Sequence, residues 1–180
     1  SEEFPVFENN DLPGIIGLDS AKILFSQHNI RLKDKIVLSV KSKNGILFAE
    51  ELCDMGLSIQ AIIFEGVNSQ DVNQLYKFES FPLFVNWKVK TAIGKSTIKK
   101  VIIQNNNNNN NDIYTLDCQT LVMEGKKIPN YELLGQTGCK LTYNIEKGII
   151  TPVIIDDFKV NENIYAVGDV TGNSNDVHIA

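Results

Sequence analysis

The feature that most constrains this chain is a strand, a helix and a second strand compressed into about 30 residues, the size of a βαβ unit. "KIVLSV" is a short continuous run rich in branched residues, which suits a strand buried on both faces of a parallel sheet. "GILFAEELCDMGL" repeats apolar residues at Ile46, Leu47, Ala49, Leu52 and Met55, a helical spacing closed by Gly56. "SIQAIIFEG" reads as another buried strand. Parallel strands need a crossover, and such crossovers are right-handed, so the predicted class is α/β.

The flanking sequence extends this unit. "NDLPG" is a turn, because Pro13 restricts its own φ and Gly14 tolerates angles that other residues avoid. A helix is expected over "IGLDSAKILFSQHNI", with Asp19 or Ser20 as its cap. From "FPLFVNWKVK" through "DIYTLDCQTLVMEG" the pattern changes to strands, several of them antiparallel, as in a β-meander. The tract Asn105 to Asn111 falls between two strand patterns and reads as a hairpin loop. "GIITPVIIDD" and "NIYAVGD" are final candidate strands around a turn-like "FKVNEN".

Composition removes several functional classes. With 180 residues and 43% hydrophobic content the chain can bury a core as one domain or two small ones. The net charge of -5 gives no basic surface for a nucleic-acid backbone. No apolar run approaches the roughly 18 to 20 residues of a membrane span, and "SEEFPVFENN" does not resemble a signal peptide, so a cytoplasmic location is expected. Cys53, Cys118 and Cys139 contain no CxxC pair and read as small buried hydrophobes. No metal-ligand spacing appears, His28 and His178 are unpaired, and no catalytic set can be assigned.

The turn after the first strand carries the sharpest signal. Dinucleotide-binding units place G-x-G-x-x-G there, so that backbone and helix N-terminus can approach a pyrophosphate. Here the segment is "SVKSKN", with Ser39, Lys41 and Asn44 at the three glycine positions. Gly45 follows without restoring the spacing. Glu65, at the end of "AIIFE", occupies the place of the acid that binds ribose hydroxyls. Topology and acid are retained without the turn chemistry. NAD(P) binding is therefore doubtful, with Lys41 and Lys43 as alternative charges for a phosphate.

The larger pattern resembles the pyridine nucleotide-disulfide oxidoreductase superfamily, flavoproteins with two dinucleotide-binding domains. Within it the chain looks most like the alpha subunits of sarcosine oxidase, opine oxidase and dye-linked proline dehydrogenase. "NDLPG" and its helix resemble the link out of the flavin domain, and "DKIVLSVKSKNG" resembles the start of the inserted nucleotide domain. "LVMEGKKIPN" resembles the return, with Gly125 matching the first glycine of a pair, Lys126 replacing the second, and Pro129 and Asn130 matching. "NIYAVGDVTG" is similar to the closing flavin motif.

The resemblance implies a Rossmann-like three-layer, NAD(P)-binding-like domain with an antiparallel β-meander over 14–115, and the strands of a partial FAD-binding domain over 1–13 and 116–180. It implies FAD as the cofactor, with Asp169 accepting from a ribityl hydroxyl and Gly168 admitting the backbone close to it. The family's opening flavin unit has no counterpart in this sequence, so the expected partner is a second polypeptide, or another copy in a homo-oligomer. The alternatives are a non-catalytic scaffold or interaction domain with a degenerate nucleotide turn, and a stand-alone NAD(P)-binding protein using Lys41, Lys43 and Glu65.

Overall fold

The computed structural model describes residues 2–28, 30–65, 81–106 and 112–172. In chain order the elements begin with β1 (Glu2–Glu3), β2 (Ile15–Gly17), α1 (Leu18–Ser26), β3 (Ile36–Val40), α2 (Lys43–Asp54) and β4 (Ile59–Phe64). Then come β5 (Leu83–Val85), β6 (Trp87–Gly94), β7 (Ile98–Asn105), β8 (Ile113–Asp117), β9 (Thr120–Met123) and β10 (Lys126–Lys127). The last part holds α3 (Glu132–Gln136), β11 (Leu141–Asn144), β12 (Ile149–Pro152), β13 (Lys159–Asn161), β14 (Ile164–Tyr165) and a 3-10 turn at Gly168–Thr171.

The chain divides into two compact units, Phe4–Gly125 and a second comprising Ser1–Glu3 with Lys126–Ala180. The first unit is wider than the 14–115 segment delimited from sequence. Its extension past 115 contains β9, which lies between β2 and β3 in a parallel sheet of order β2-β9-β3-β4-β5. Leu121, Val122 and Met123 are inaccessible to solvent because neighbouring strands and both faces enclose them.

Alternation along β3 generates the three layers. Ile36, Leu38 and Val40 face a core built with Ile46, Phe48, Ala49 and Leu52 of α2 and Leu18 and Ala21 of α1. Val37 faces the other way, into a core with Val89, Ala92, Val101, Ile103 and Leu116 of the antiparallel β6-β7-β8 meander. Both faces of the strand are covered, which is why its sequence is a continuous apolar run and not an alternating one. Burying an aliphatic side chain contributes about 1.5–3 kcal/mol, so this double-sided sheet dominates the stability of the unit.

Local differences from the expectations have simple causes. The cap of α1 is Gly17, in extended conformation with no side-chain bond, so neither Asp19 nor Ser20 caps it; both lie inside the first turn. α2 does have a side-chain cap, Ser42, whose hydroxyl accepts from the Asn44 N–H at 3.2 Å. "FKVNEN" contains β13, which forms a hairpin with β14. β7 and β8 pair antiparallel from Gln104 and Ile113 outward, consistent with the expected hairpin, although Asn105 belongs to β7 and Asn107 to Asn111 lie outside the described residues.

The second unit is built from short pieces: an antiparallel β1-β10 pair, a β11-β12 hairpin, the β13-β14 hairpin, α3 and the 3-10 turn. Its buried cluster consists of Cys139, Val160 and Ala166, with Leu134, Ile164 and Val170 against it. Leu133, Tyr143, Ile145, Ile155, Tyr165 and Val167 are all exposed.

Candidate functional site

Two sites carry the residues singled out from sequence, one in each unit. In the first unit they gather at the carboxyl ends of β3, β4 and β9, the edge at which open α/β sheets hold ligands. β3 ends at Val40 and α2 starts at Lys43, so Lys41 and Ser42 form the connecting turn. Glu65, just past β4, is tied to β3 by a bond from its N–H to the Val40 carbonyl at 3.1 Å. One oxygen of its carboxylate accepts from Ser39 Oγ at 2.9 Å, and the other faces Lys41 Nζ at 3.2 Å. Ser39, Lys41 and Glu65 are thus one cluster, with Ser39 fully buried.

The donors of the turn are directed to a residue that sequence reasoning missed. Glu124, directly after β9, has a carboxylate that accepts from the Lys41 N–H at 2.6 Å and the Ser42 N–H at 2.9 Å through Oε2. Its Oε1 accepts from Ser42 Oγ in a short hydrogen bond. The Glu124 N–H donates to the Ser39 carbonyl at 2.8 Å, which fixes the residue against β3. Glu124 is only 7% exposed, and a buried carboxylate requires such partners. The signal was present in "TLVMEG", where an acid closes a strand that is apolar throughout.

Gly45 makes the approach possible. A Cβ at this position would lie 2.6 Å from Glu124 Oε2 and 2.6 Å from Val40 Cβ. Asn44 contributes its backbone N–H to the cap and leaves its side chain exposed. Gly125 is buried directly after Glu124. A dinucleotide on this turn would need the amides for its pyrophosphate and a carboxylate for its ribose. Both are already satisfied internally, so the residues present do not fit NAD(P) in that pose.

The second unit presents the opposite situation. Val167 is extended, and Gly168 then turns with φ +76, a left-handed conformation that favours glycine. No atom of the described residues lies within 4 Å of where a Gly168 Cβ would stand, so its requirement is conformational. Asp169 follows at the start of the 3-10 turn, is exposed, and makes no side-chain hydrogen bond among the described residues.

The far end of the same turn is held firmly. Thr171 Oγ donates to the Gly168 carbonyl at 2.8 Å, and the Gly172 N–H donates to the Asp169 carbonyl at 3.1 Å. Gly172 packs so tightly on β12 that a Cβ would meet Thr151 Cγ2 at 2.6 Å and Ile149 Cδ1 at 3.0 Å. Lys147 Nζ donates to the Gly172 carbonyl at 2.8 Å. Pro129 is buried beside this glycine. The result is an anchored turn whose leading edge exposes a carboxylate, an acceptor suited to hydroxyl groups.

Other candidates contribute no chemistry. His28 is exposed, and His178 lies outside the described residues. Among the described residues no group of three or more His, Cys, Asp or Glu side chains could hold a metal. None of the described helices is long and apolar enough to cross a membrane. Cys118 is buried, and desolvation pushes its thiol from the usual 9.0 up to about 12, the behaviour of a core residue and not of a nucleophile.

No protein-family model matches the chain, and no curated protein matches it by sequence. Solved structures do. The chain is similar to L-proline dehydrogenase from P. horikoshii at 21% identity with a TM-score of 0.59, over 94% of this chain and 28% of that one. It is similar to thioredoxin reductase from T. acidophilum at 17% identity with a TM-score of 0.69, over 96% of this chain and 56% of that one. A NAD-dependent persulfide reductase from A. fulgidus matches at 20% identity with a TM-score of 0.63, over 94% of this chain and 31% of that one. Likeness at this level is one of fold: the chain has the Rossmann-like architecture of the FAD- and NAD-binding oxidoreductases. It spans between about a quarter and somewhat over half of those proteins' own lengths.

Proposed function

We propose that this chain is part of an FAD-dependent oxidoreductase of the amine or amino-acid dehydrogenase or oxidase type, similar to the alpha subunits of sarcosine oxidase, opine oxidase and dye-linked proline dehydrogenase. The observation that carries the reading is the anchored turn with Gly168 in the left-handed region and the exposed Asp169 after it. Asp169 accepts a ribityl hydroxyl, a charge-assisted bond of about 1.5–3 kcal/mol. Gly168 admits the cofactor close to the backbone, and Pro129 and Gly125 shape the chain leading into the unit. When bound, the flavin supplies the electron acceptor for oxidation of a carbon–nitrogen substrate.

The flavin pyrophosphate is held by a glycine-rich unit outside these 180 residues, on the same polypeptide or on a second one. Support comes from the partial coverage of the similar structures and from the many apolar side chains that the second unit leaves exposed. The test is to isolate the chain from its native host with whatever accompanies it and record the visible spectrum. A yellow protein or assembly that includes a glycine-rich nucleotide turn is expected. A colourless protein that takes up no FAD in any assembly overturns the reading.

One observation favours a second reading, a scaffold or interaction domain that retains the fold without nucleotide affinity. It is the internal satisfaction of the β3-α2 turn by Glu124. The spectrum discriminates, because the scaffold reading requires that no flavin be bound in either unit.

A further inference from the structure

We propose that the Glu124 carboxylate is a resident anion that takes the place of a dinucleotide pyrophosphate at the β3-α2 turn and excludes NAD(P) from the first unit. The inference concerns the first unit alone and holds whether or not the second unit binds a flavin. Three observations converge on it. The turn lies between the end of a parallel strand and the start of α2, a 12-residue helix, where amides and the positive end of the helix dipole favour negative charge. Its amide donors at Lys41 and Ser42, and the Ser42 hydroxyl, are all spent on one carboxylate. Gly45, the residue at which close packing is needed, accommodates Glu124 Oε2 and Val40 and leaves no room for even a methyl group.

Entry of a pyrophosphate would require these bonds to break and a second anion to settle beside a buried carboxylate. Like charges at such range disfavour each other strongly, and the displaced Glu124 would forfeit the three hydrogen bonds that hold its buried carboxylate. The second half of the nucleotide site is also engaged. Each oxygen of Glu65 already has a partner, Ser39 Oγ or Lys41 Nζ, so a ribose hydroxyl would have to share the carboxylate with both. Anion and cation places are each filled from within, so the turn is complete without a ligand. The substitutions of the glycine pattern at Ser39, Lys41 and Asn44 are therefore matched by Glu124 and are not isolated losses.

The experiment has two arms on the full chain. In the first, the wild type is titrated with NADPH and NADH by nicotinamide fluorescence, and amide hydrogen exchange is measured at Lys41 and Ser42. No saturable binding is expected up to about 1 mM, together with protection of both amides. In the second, thermal unfolding of Glu124→Ala is followed with and without sodium pyrophosphate at constant ionic strength. A lowered Tm that pyrophosphate raises saturably is expected, with no such response in the wild type. Saturable NAD(P)H binding by the wild type, unprotected amides at the turn, or a folded Glu124→Ala with the same pyrophosphate response as the wild type would each overturn the proposal. Should Glu124→Ala not fold, the wild-type arm decides alone.

Discussion

The two sheet-end turns of this protein differ in one respect that explains most of their character: the β3-α2 turn has its polar groups consumed, and the Gly168–Asp169 turn has its carboxylate exposed. The first directly follows β3 and the second stands two residues beyond β14, and each has at hand a glycine, Gly45 in α2 or Gly168, that close contact or backbone conformation demands. At the first, Gly45 admits a side chain of the same unit. At the second, no atom of the described residues approaches the place of a Gly168 Cβ. A turn inherited by a nucleotide-binding fold therefore identifies a binding site only after its donors and acceptors have been assigned partners.

This contrast is sharpest for Glu124. Glu124→Ala strands the Lys41 and Ser42 amides and the Ser42 hydroxyl, so a loss of about 3 kcal/mol is expected. It is read from the urea midpoint, and a loss below about 1 kcal/mol would remove the carboxylate from its assigned role. Asp169→Ala should do the reverse. Because the side chain is exposed, stability stays within about 0.5 kcal/mol, while the proposed flavin site predicts that flavin retention falls about tenfold to a hundredfold. Unchanged flavin retention on dialysis would break the comparison at its open end.

Cys118 offers a probe of the first unit's interior that involves neither turn. Its thiol is raised by burial from 9.0 to about 12 in the folded state, so between those values the unfolded chain has released a proton that the folded chain retains. Stability consequently falls with rising pH across that window, by up to about 1.4 kcal/mol per pH unit from this group. Comparison with Cys118→Ala isolates it: the variant should show a shallower decline between pH 9 and 11 in the same titration. Equal slopes would mean that water reaches the thiol.

The smallest effect is expected at Gly45. Alanine in a helix gains about 1 kcal/mol over glycine, whereas overpacking costs about 1–3 kcal/mol. The added methyl would collide with Val40 Cβ, which the backbone holds, as well as with Glu124. Gly45→Ala should therefore destabilise by about 1 kcal/mol, and the double variant with Glu124→Ala should lose less than the sum of the two. Strict additivity would show that Gly45 and Glu124 do not share the site.

Much of the first unit was legible from sequence because a strand covered on both faces has no alternative but a continuous apolar run. β3, α2 and β4 lie where "KIVLSV", "GILFAEELCDMGL" and "SIQAIIFEG" predict them. The α1 cap was less legible, since Asp19 and Ser20 have the chemistry of caps and only the backbone shows that Gly17 holds the position. β13 was hidden because a three-residue strand in "FKVNEN" has no period long enough to detect. In the site, Ser39, Lys41 and Glu65 could be grouped by their spacing around one βαβ unit. Glu124 could not, being more than 80 residues from the turn it fills.

By itself the sequence determined the α/β class, the loss of the glycine pattern at "SVKSKN" and the presence of a Gly-Asp pair after a terminal strand. These are local properties: hydrophobic period, residue size and the angles a glycine permits. Only the tertiary structure decided that β9 would lie between β2 and β3, and so bring Glu124 to the β3-α2 turn. Strand order is set by which faces can be buried together over long separations, and the partner of a buried charge follows from that order. Whether a carboxylate is available to a ligand or already satisfied is consequently a property of the packed chain, as Glu124 and Asp169 show in opposite ways.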